Sequence, residues 1–231
     1  MLGMGGGMLH VPILFWLGFP LKGVAQPVGI LLNGLTTLVA LLTYARNGLV
    51  DWRRGWVMAL AALLCAPLGS IVAHSMPDHI LIVLLVLLIF VAATRTLLTA
   101  RQAEADHYTP STVKQVVGIL VVGFAAFLGA MLGLGGGTLI SPLLMWMGYP
   151  TKKAAATSSF IVTISSASGL AGRAGQMQAS TLLLVTLALA VVVAAWLGST
   201  LMATRAKPQW VKYGYTALLC GVGVKLLLPL L

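Results

Sequence analysis

Two runs of three glycines carry the chemistry this chain offers: Gly5-Gly6-Gly7 within GMGGGMLHVP, and Gly135-Gly136-Gly137 within GLGGGTLISP. Three glycines and a nearby proline make poor helix, yet each run stands in an almost uncharged apolar region. A helix broken there frees backbone N–H groups, and the short helix that follows presents a positive N-terminal end. Such an end suits a small anion. The competing reading is close helix packing, for which Gly129 and Gly133 have the spacing. Packing glycines recur every fourth residue, however, and not three in succession. A nucleotide-binding loop is excluded, because it needs a preceding strand and access to water.

Other polar residues stand close by in sequence. His10, three residues after Gly7, is either a titrating group beside the site or a satisfied core histidine. Ser141 lies four residues after the second run. Thr157-Ser158-Ser159 opens the next apolar segment, with Thr163 on the face of Ser159. Those hydroxyls donate either to an anion or to carbonyls of their own helix. The candidate substrate-binding residues are therefore Gly5, Gly6, Gly7, His10, Gly135, Gly136, Gly137, Ser141, Thr157, Ser158 and Ser159. Gln26 and Asn33 are amides inside an apolar run, placed either between helices or toward a cavity. Arg46 and Arg173 occupy related helix ends. They read first as snorkelling topology markers, and second as attractors of an anion.

The elements that must position these groups are transmembrane helices. The chain is 59% hydrophobic and 8% charged, with a mean hydropathy of +1.02; a soluble domain carries about 25% charged residues. Long apolar segments run roughly over 24–45, 54–73, 79–99, 115–134, 153–172, 179–203 and 209–231, each near the ~20 residues that span a bilayer. Two shorter segments, about 5–18 and 136–149, follow the glycine runs. No segment resembles a cleavable signal peptide. The net charge of +10 is scattered at segment ends and forms no basic stripe, so nucleic acid is not an expected partner. Cys65 and Cys220 stand alone as small core residues. The four acids Asp51, Asp78, Glu104 and Asp106 fall in predicted loops, which argues against a carboxylate proton relay or a cation-selective ring. No HExxH, GxSxG or intramembrane acid pair is present. Enzyme chemistry, catalytic residues, metal ligands and cofactors are not expected.

The halves repeat. With an offset of 130, Gly3–Ala25 falls on Gly133–Ala155 with twelve identities in 23 positions, among them Pro12/Pro142, Trp16/Trp146, Gly18/Gly148, Pro20/Pro150 and Lys22/Lys152. Arg46-Asn-Gly48 echoes Arg173-Ala-Gly175, and Ala66-Pro-Leu-Gly-Ser70 echoes Ala195-Trp-Leu-Gly-Ser199. The sequence predicts a first repeat over 1–100, a cytoplasmic linker over 101–114 and a second repeat over 115–231. Segment 115–134 precedes the second glycine run, while only Met1 and Leu2 precede the comparable part of the first. The first repeat therefore reads as shortened by one helix. Inverting the second half relative to the first places eleven of the fourteen basic residues on one side, leaving Lys22, Arg173 and Lys225 on the other. By the positive-inside rule that side is cytoplasmic and the halves are inverted repeats. Whether the glycine segments cross or re-enter stays open. Paired breaks in inverted halves point to a transporter's binding site.

The quoted glycine stretches, with TKKAAATSS after the second, resemble the twice-repeated signature of the TauE/SafE family of sulfite-exporter-like membrane proteins. The arginine–glycine of Arg46-Asn-Gly48, with Val50-Asp51-Trp52 beyond it, is also similar. The resemblance covers nearly the whole chain. It implies transport of sulfite, sulfonates or related organic and oxyanions across a bacterial inner membrane, with Thr157, Ser158 and Ser159 as the matching threonine–serine stretch. The first half has Pro27-Val28 there. The fold expected is an all-α polytopic membrane protein of two inverted repeats, each with a glycine-broken short helix and three spanning helices, the first helix of repeat one absent. The expected function is a secondary transporter of a small anion by alternating access between the two breaks. An anion channel or a non-transporting scaffold or assembly protein are the alternatives. The expected partners are the small anionic solute, the lipid bilayer and a second copy of the chain in a homodimer.

Overall fold

The computed structural model describes residues 6–99, 112–173, 175, 177–204 and 221. The expected last segment, 209–231, apart from residue 221, and the linker up to residue 111 lie outside the described residues, as do Gly5 and Cys220. Among the described residues the chain is helical without strands. In order come α1 (Gly7–Trp16), α2 (Gln26–Arg46) entered through a π-helical turn over Leu21–Ala25, α3 (Trp52–Ser75), α4 (Asp78–Thr99), α5 (Thr112–Met131), α6 (Gly137–Trp146), α7 (Thr151–Ala171) and α8 (Thr181–Thr204).

Among the described residues four stretches are long and apolar enough to cross a membrane: Leu21–Arg46, Trp52–Ser75, Thr151–Ala171 and Thr181–Thr200. Their outward faces carry large apolar side chains, such as Leu60, Leu64, Leu68 and Ile71 on α3 and Leu182, Leu189, Val193 and Trp196 on α8. In water such faces would aggregate; in hydrocarbon they cost nothing. The helices α1 and α6 have ten residues each, about 15 Å at 1.5 Å per residue and so half of the hydrocarbon core.

The centre is built from α2, α3, α5 and α7. The helix α3 runs parallel to α5 and α7 in close contact, through glycine. A Cβ on Gly69 would strike the backbone of Phe127, and one on Gly172 would lie 2.9 Å from the Cα of Pro67. The helix α2 runs antiparallel to α7: Asn33 meets Ser166 while Thr37 meets Thr163. Two apolar clusters lie at the two ends of this packing. One gathers Met8, Leu21, Val28, Leu32, Leu132 and Leu134; the other gathers Ala40, Tyr44, Met58, Val122, Leu144 and Ile161. Between them, the stretch of α2 from Asn33 to Thr37 and the stretch of α7 around Ser165 and Ser166 form a buried polar layer.

Candidate functional site

The second break begins where α5 stops at Met131. Gly135 and Gly136 have φ of +68° and +80°, a left-handed backbone that side chains disfavour. This geometry folds the loop onto the last turn of α5: the N–H groups of Leu134 and Gly135 both donate to the carbonyl of Gly129, at 2.6 and 3.0 Å. From Gly137 the chain runs back as α6, antiparallel to α5, until Met147 reaches Gly118. The segment therefore returns along α5 in a hairpin.

The start of α1 meets the second break directly. A Cβ on Gly7 would lie 2.6 Å from the carbonyl oxygen and 2.8 Å from the Cα of Leu134, and one on Gly29 would lie 2.9 Å from the carbonyl oxygen of Gly133. The glycines permit this backbone-to-backbone approach. Asn33, fully buried, joins the two: its Oδ1 accepts from the Gly7 N–H at 3.0 Å and its Nδ2 donates to Ser166 Oγ at 3.3 Å. Ser165 Oγ donates to the carbonyl of Gly135 at 2.9 Å. The amides of Gly7 and Gly135 are thus engaged within the protein.

The hydroxyls marked in the sequence are placed elsewhere. Ser159 Oγ donates to the carbonyl of Ala155 in its own helix, at 2.8 Å. Thr157 Oγ1 accepts from the Asp51 N–H at 3.1 Å, where α3 begins. Ser158 is fully buried and hydrogen-bonded. Six residues separate Ser159 from Ser165, about 9 Å along a helix. The α7 hydroxyls at the breaks are therefore Ser165 and Ser166. Ser141 is buried and hydrogen-bonded on α6. The His10 ring packs over Gly6, and its Nδ1 is buried with no partner.

Buried polar atoms without partners gather at the breaks. Besides His10 Nδ1 they are Gln26 Oε1, Thr138 Oγ1 and the Nε and Nη1 of Arg173. The backbone of Gln26 faces Gly133, and Thr138 follows Gly137. In a folded protein such atoms are nearly always paired, so a cluster of orphans marks a place for a polar ligand or water.

Arg173 departs from the topology marker expected of it. It is 1% exposed, and its Nη2 donates to the carbonyls of Ala130 at 3.1 Å and Met131 at 3.0 Å. The cause is packing: Gly169 and Gly172 bring the end of α7 against Ala130, Pro67 and Ser70, and the unpaired carbonyls at the end of α5 attract the guanidinium. The ion pairs among the described residues, Lys22–Asp78 and Arg54–Asp51, lie elsewhere.

Loop contacts tie the halves together at opposite ends of α2. At its N-terminal end the Gln178 N–H donates to the Gly23 carbonyl at 2.9 Å. At its C-terminal end the Asp51 N–H reaches Thr157, and Tyr149 Oη donates to Asp51 Oδ2 at 3.1 Å. Beside the second contact a cleft of about 450 Å³ opens between Asp51, Arg53, Arg54, Met58 and Gln115.

Short helices that begin at two glycine runs, set among apolar spanning helices, define a polytopic membrane protein of the transporter class. The chain belongs to the sulfite exporter TauE/SafE family, whose model matches residues 1–226. Among curated proteins it is similar to the probable membrane transporter protein YunE of Bacillus subtilis, with 26% identity over 224 residues, covering 87% of this chain and 81% of that one. It is also similar to a probable membrane transporter protein of Methanocaldococcus jannaschii, with 25% identity over 174 residues, covering 73% of this chain and 64% of the relative. No solved structure matches. The family and these relatives point to transport and not to an enzyme.

Proposed function

We propose that this protein is a secondary transporter of a small anion, of the sulfite, sulfonate or related oxyanion class, in a bacterial inner membrane. The observation that carries the reading is the meeting of two glycine-broken half-helices inside the protein, Gly7 against Leu134, ringed by the buried, unpartnered His10 Nδ1, Gln26 Oε1 and Thr138 Oγ1. Unfilled hydrogen-bonding capacity, withdrawn from solvent at the ends of short helices, is what a small oxyanion requires. The binding set comprises the breaks themselves, Gly5–Gly7 and Gly135–Gly137, with His10 and the buried hydroxyls of Ser141, Thr157, Ser158 and Ser159 along its route. Gln26, Asn33, Thr138, Ser165 and Ser166 join it on their proximity to the breaks.

The two halves act as inverted repeats, 1–100 and 115–231, joined by a cytoplasmic linker. The antiparallel run of α2 and α7 supports this reading, as does the recurrence of ten-residue helices at Gly7–Trp16 and Gly137–Trp146. Alternating access follows from rocking one repeat against the other. The Gln178–Gly23 and Asp51–Thr157 contacts are the two gates, and the cleft at Arg53 and Arg54 is the cytoplasmic mouth.

Uptake of radiolabelled sulfite and sulfoacetate into proteoliposomes tests this. A carrier saturates and shows counterflow. Flux that rises linearly with concentration and lacks counterflow would replace the carrier with an anion channel. No flux under any gradient would leave a non-transporting scaffold.

A further inference from the structure

We propose that Arg173 supplies the positive charge that binds the transported anion. The inference rests on the anion-transport reading above and names its charged ligand. Four observations carry it. Arg173 is 1% exposed, so its charge is withdrawn from solvent. Among the described residues no carboxylate pairs with it, since Asp51 and Asp78 are engaged by Tyr149, Arg54 and Lys22. Its Nη2 is anchored on the carbonyls of Ala130 and Met131, which fixes the plane of the guanidinium, while the N–H groups on Nε and Nη1 have no acceptor among the described residues. And the anchoring carbonyls belong to the residues just before the second glycine break, which Gly7 of the first break touches at Leu134.

A buried cation is strongly disfavoured unless something compensates its charge. The negative end of the α5 dipole supplies a fraction of a charge; an oxyanion on the remaining N–H groups would supply the rest. A guanidinium serves this role better than an ammonium. It stays charged when buried, and its planar N–H groups match the oxygens of a sulfite or sulfonate. The arrangement also couples binding to shape, because the same side chain holds the end of α5 by one nitrogen and the anion by the others.

A role confined to capping α5 makes different predictions, which separates the two. In wild-type protein, phenylglyoxal modification of arginines, mapped by mass spectrometry with and without saturating sulfite, reports Arg173 directly, with exposed Arg46 as internal control. The proposal expects Arg173 to be modified about tenfold more slowly with sulfite while Arg46 is unchanged. Unchanged modification overturns it. So does an Arg173 that is never modified, since a group no small reagent reaches is not on a transport route. In proteoliposomes, Arg173→Gln keeps a donor for the carbonyls without charge and is expected to lose sulfite uptake by about tenfold or more, while Arg173→Lys retains part of it at a raised half-saturation. Folded Arg173→Gln with wild-type uptake sinks the assignment and leaves anion transport standing. Wild-type protein that neither takes up sulfite nor shows protection sinks both readings. If neither variant folds, the wild-type modification result decides.

Discussion

The two halves use the same residues to make the same turns and then diverge in what those turns hold. The helices α1 and α6 begin at the third glycine of each run, end at a tryptophan and are followed by turns at Gly18 and Gly148 with φ of +86° and +99°. After α2 and α7, Gly48 and Gly175 take φ of +66° and +85°. Yet Arg46 beside the first is exposed, while Arg173 beside the second is buried. The difference is a neighbour. The helix α5 offers Arg173 its terminal carbonyls, and no helix among the described residues stands in that relation to Arg46. A repeat copies local conformation; burial of a charge depends on what the rest of the fold brings near.

The contacts that tie the halves together diverge in the same way. In the first half Pro27 has no N–H, so the carbonyl of Gly23, four residues before it, is released from the helix ladder and accepts from Gln178. The π-helical turn over Leu21–Ala25 leads into this proline. In the second half the position of Pro27 holds Thr157, whose hydroxyl accepts from Asp51. One half attaches the opposing loop by deleting a donor, the other by adding an acceptor.

The sharpest way to break the comparison is at the contact between the halves. Gly7→Val places a branched side chain against the Leu134 backbone, which cannot swing aside as a side chain would. Overpacking of this kind costs about 1–3 kcal/mol, more where backbone must move, and a large drop in thermal midpoint in detergent is the expected reading. A midpoint within a degree or so of wild type would mean that the two breaks separate freely.

Asn33→Asp comes next. It keeps the acceptor for the Gly7 N–H, but loses the donor to Ser166 and adds negative charge at the breaks. Uptake of sulfite should fall by about tenfold or more through like-charge repulsion, with folding retained by circular dichroism. Unimpaired uptake would show that the anion passes elsewhere. At the gates, Thr157→Val leaves the Asp51 N–H without its acceptor and should cost about 1–3 kcal/mol, whereas Pro27→Ala offers a competing N–H to Gly23 and should cost about 1 kcal/mol or less. Labelling of a cysteine at position 178 or 51 by a membrane-impermeant maleimide would report which end opens, and equal opening of both ends by either change would contradict separate gates. The smallest effect belongs to Arg46→Gln, expected within about 0.5 kcal/mol of wild type and neutral for uptake. A loss comparable to that of Arg173→Gln would erase the asymmetry between the halves.

Much of this was legible from residue types. The short helices were predicted over about 5–18 and 136–149 and are found at Gly7–Trp16 and Gly137–Trp146, because glycine runs and apolar stretches act locally. The hydroxyls that serve the break were harder to find. Thr157-Ser158-Ser159 stands out as a cluster, but α7 continues for more than a turn before it reaches Gly135, where Ser165 and Ser166 wait. Sequence distance from the break does not give distance in space, since α6 turns back before α7 begins. Asn33 was conspicuous as an amide in an apolar run, yet nothing nearby in sequence indicates that its partner is Gly7, 26 residues earlier.

Composition alone required a membrane solvent, since 8% charged residues cannot cover a water-facing surface, and the second glycine triplet alone required a broken helix, because the positive φ there is set within a few residues. Only the tertiary structure decided that the two breaks touch, that Asn33 knits them, and that Arg173 turns inward while Arg46 does not. Those outcomes depend on which unpaired carbonyl or amide the packing of distant helices delivers, and a buried polar group goes wherever its hydrogen bonds can be met.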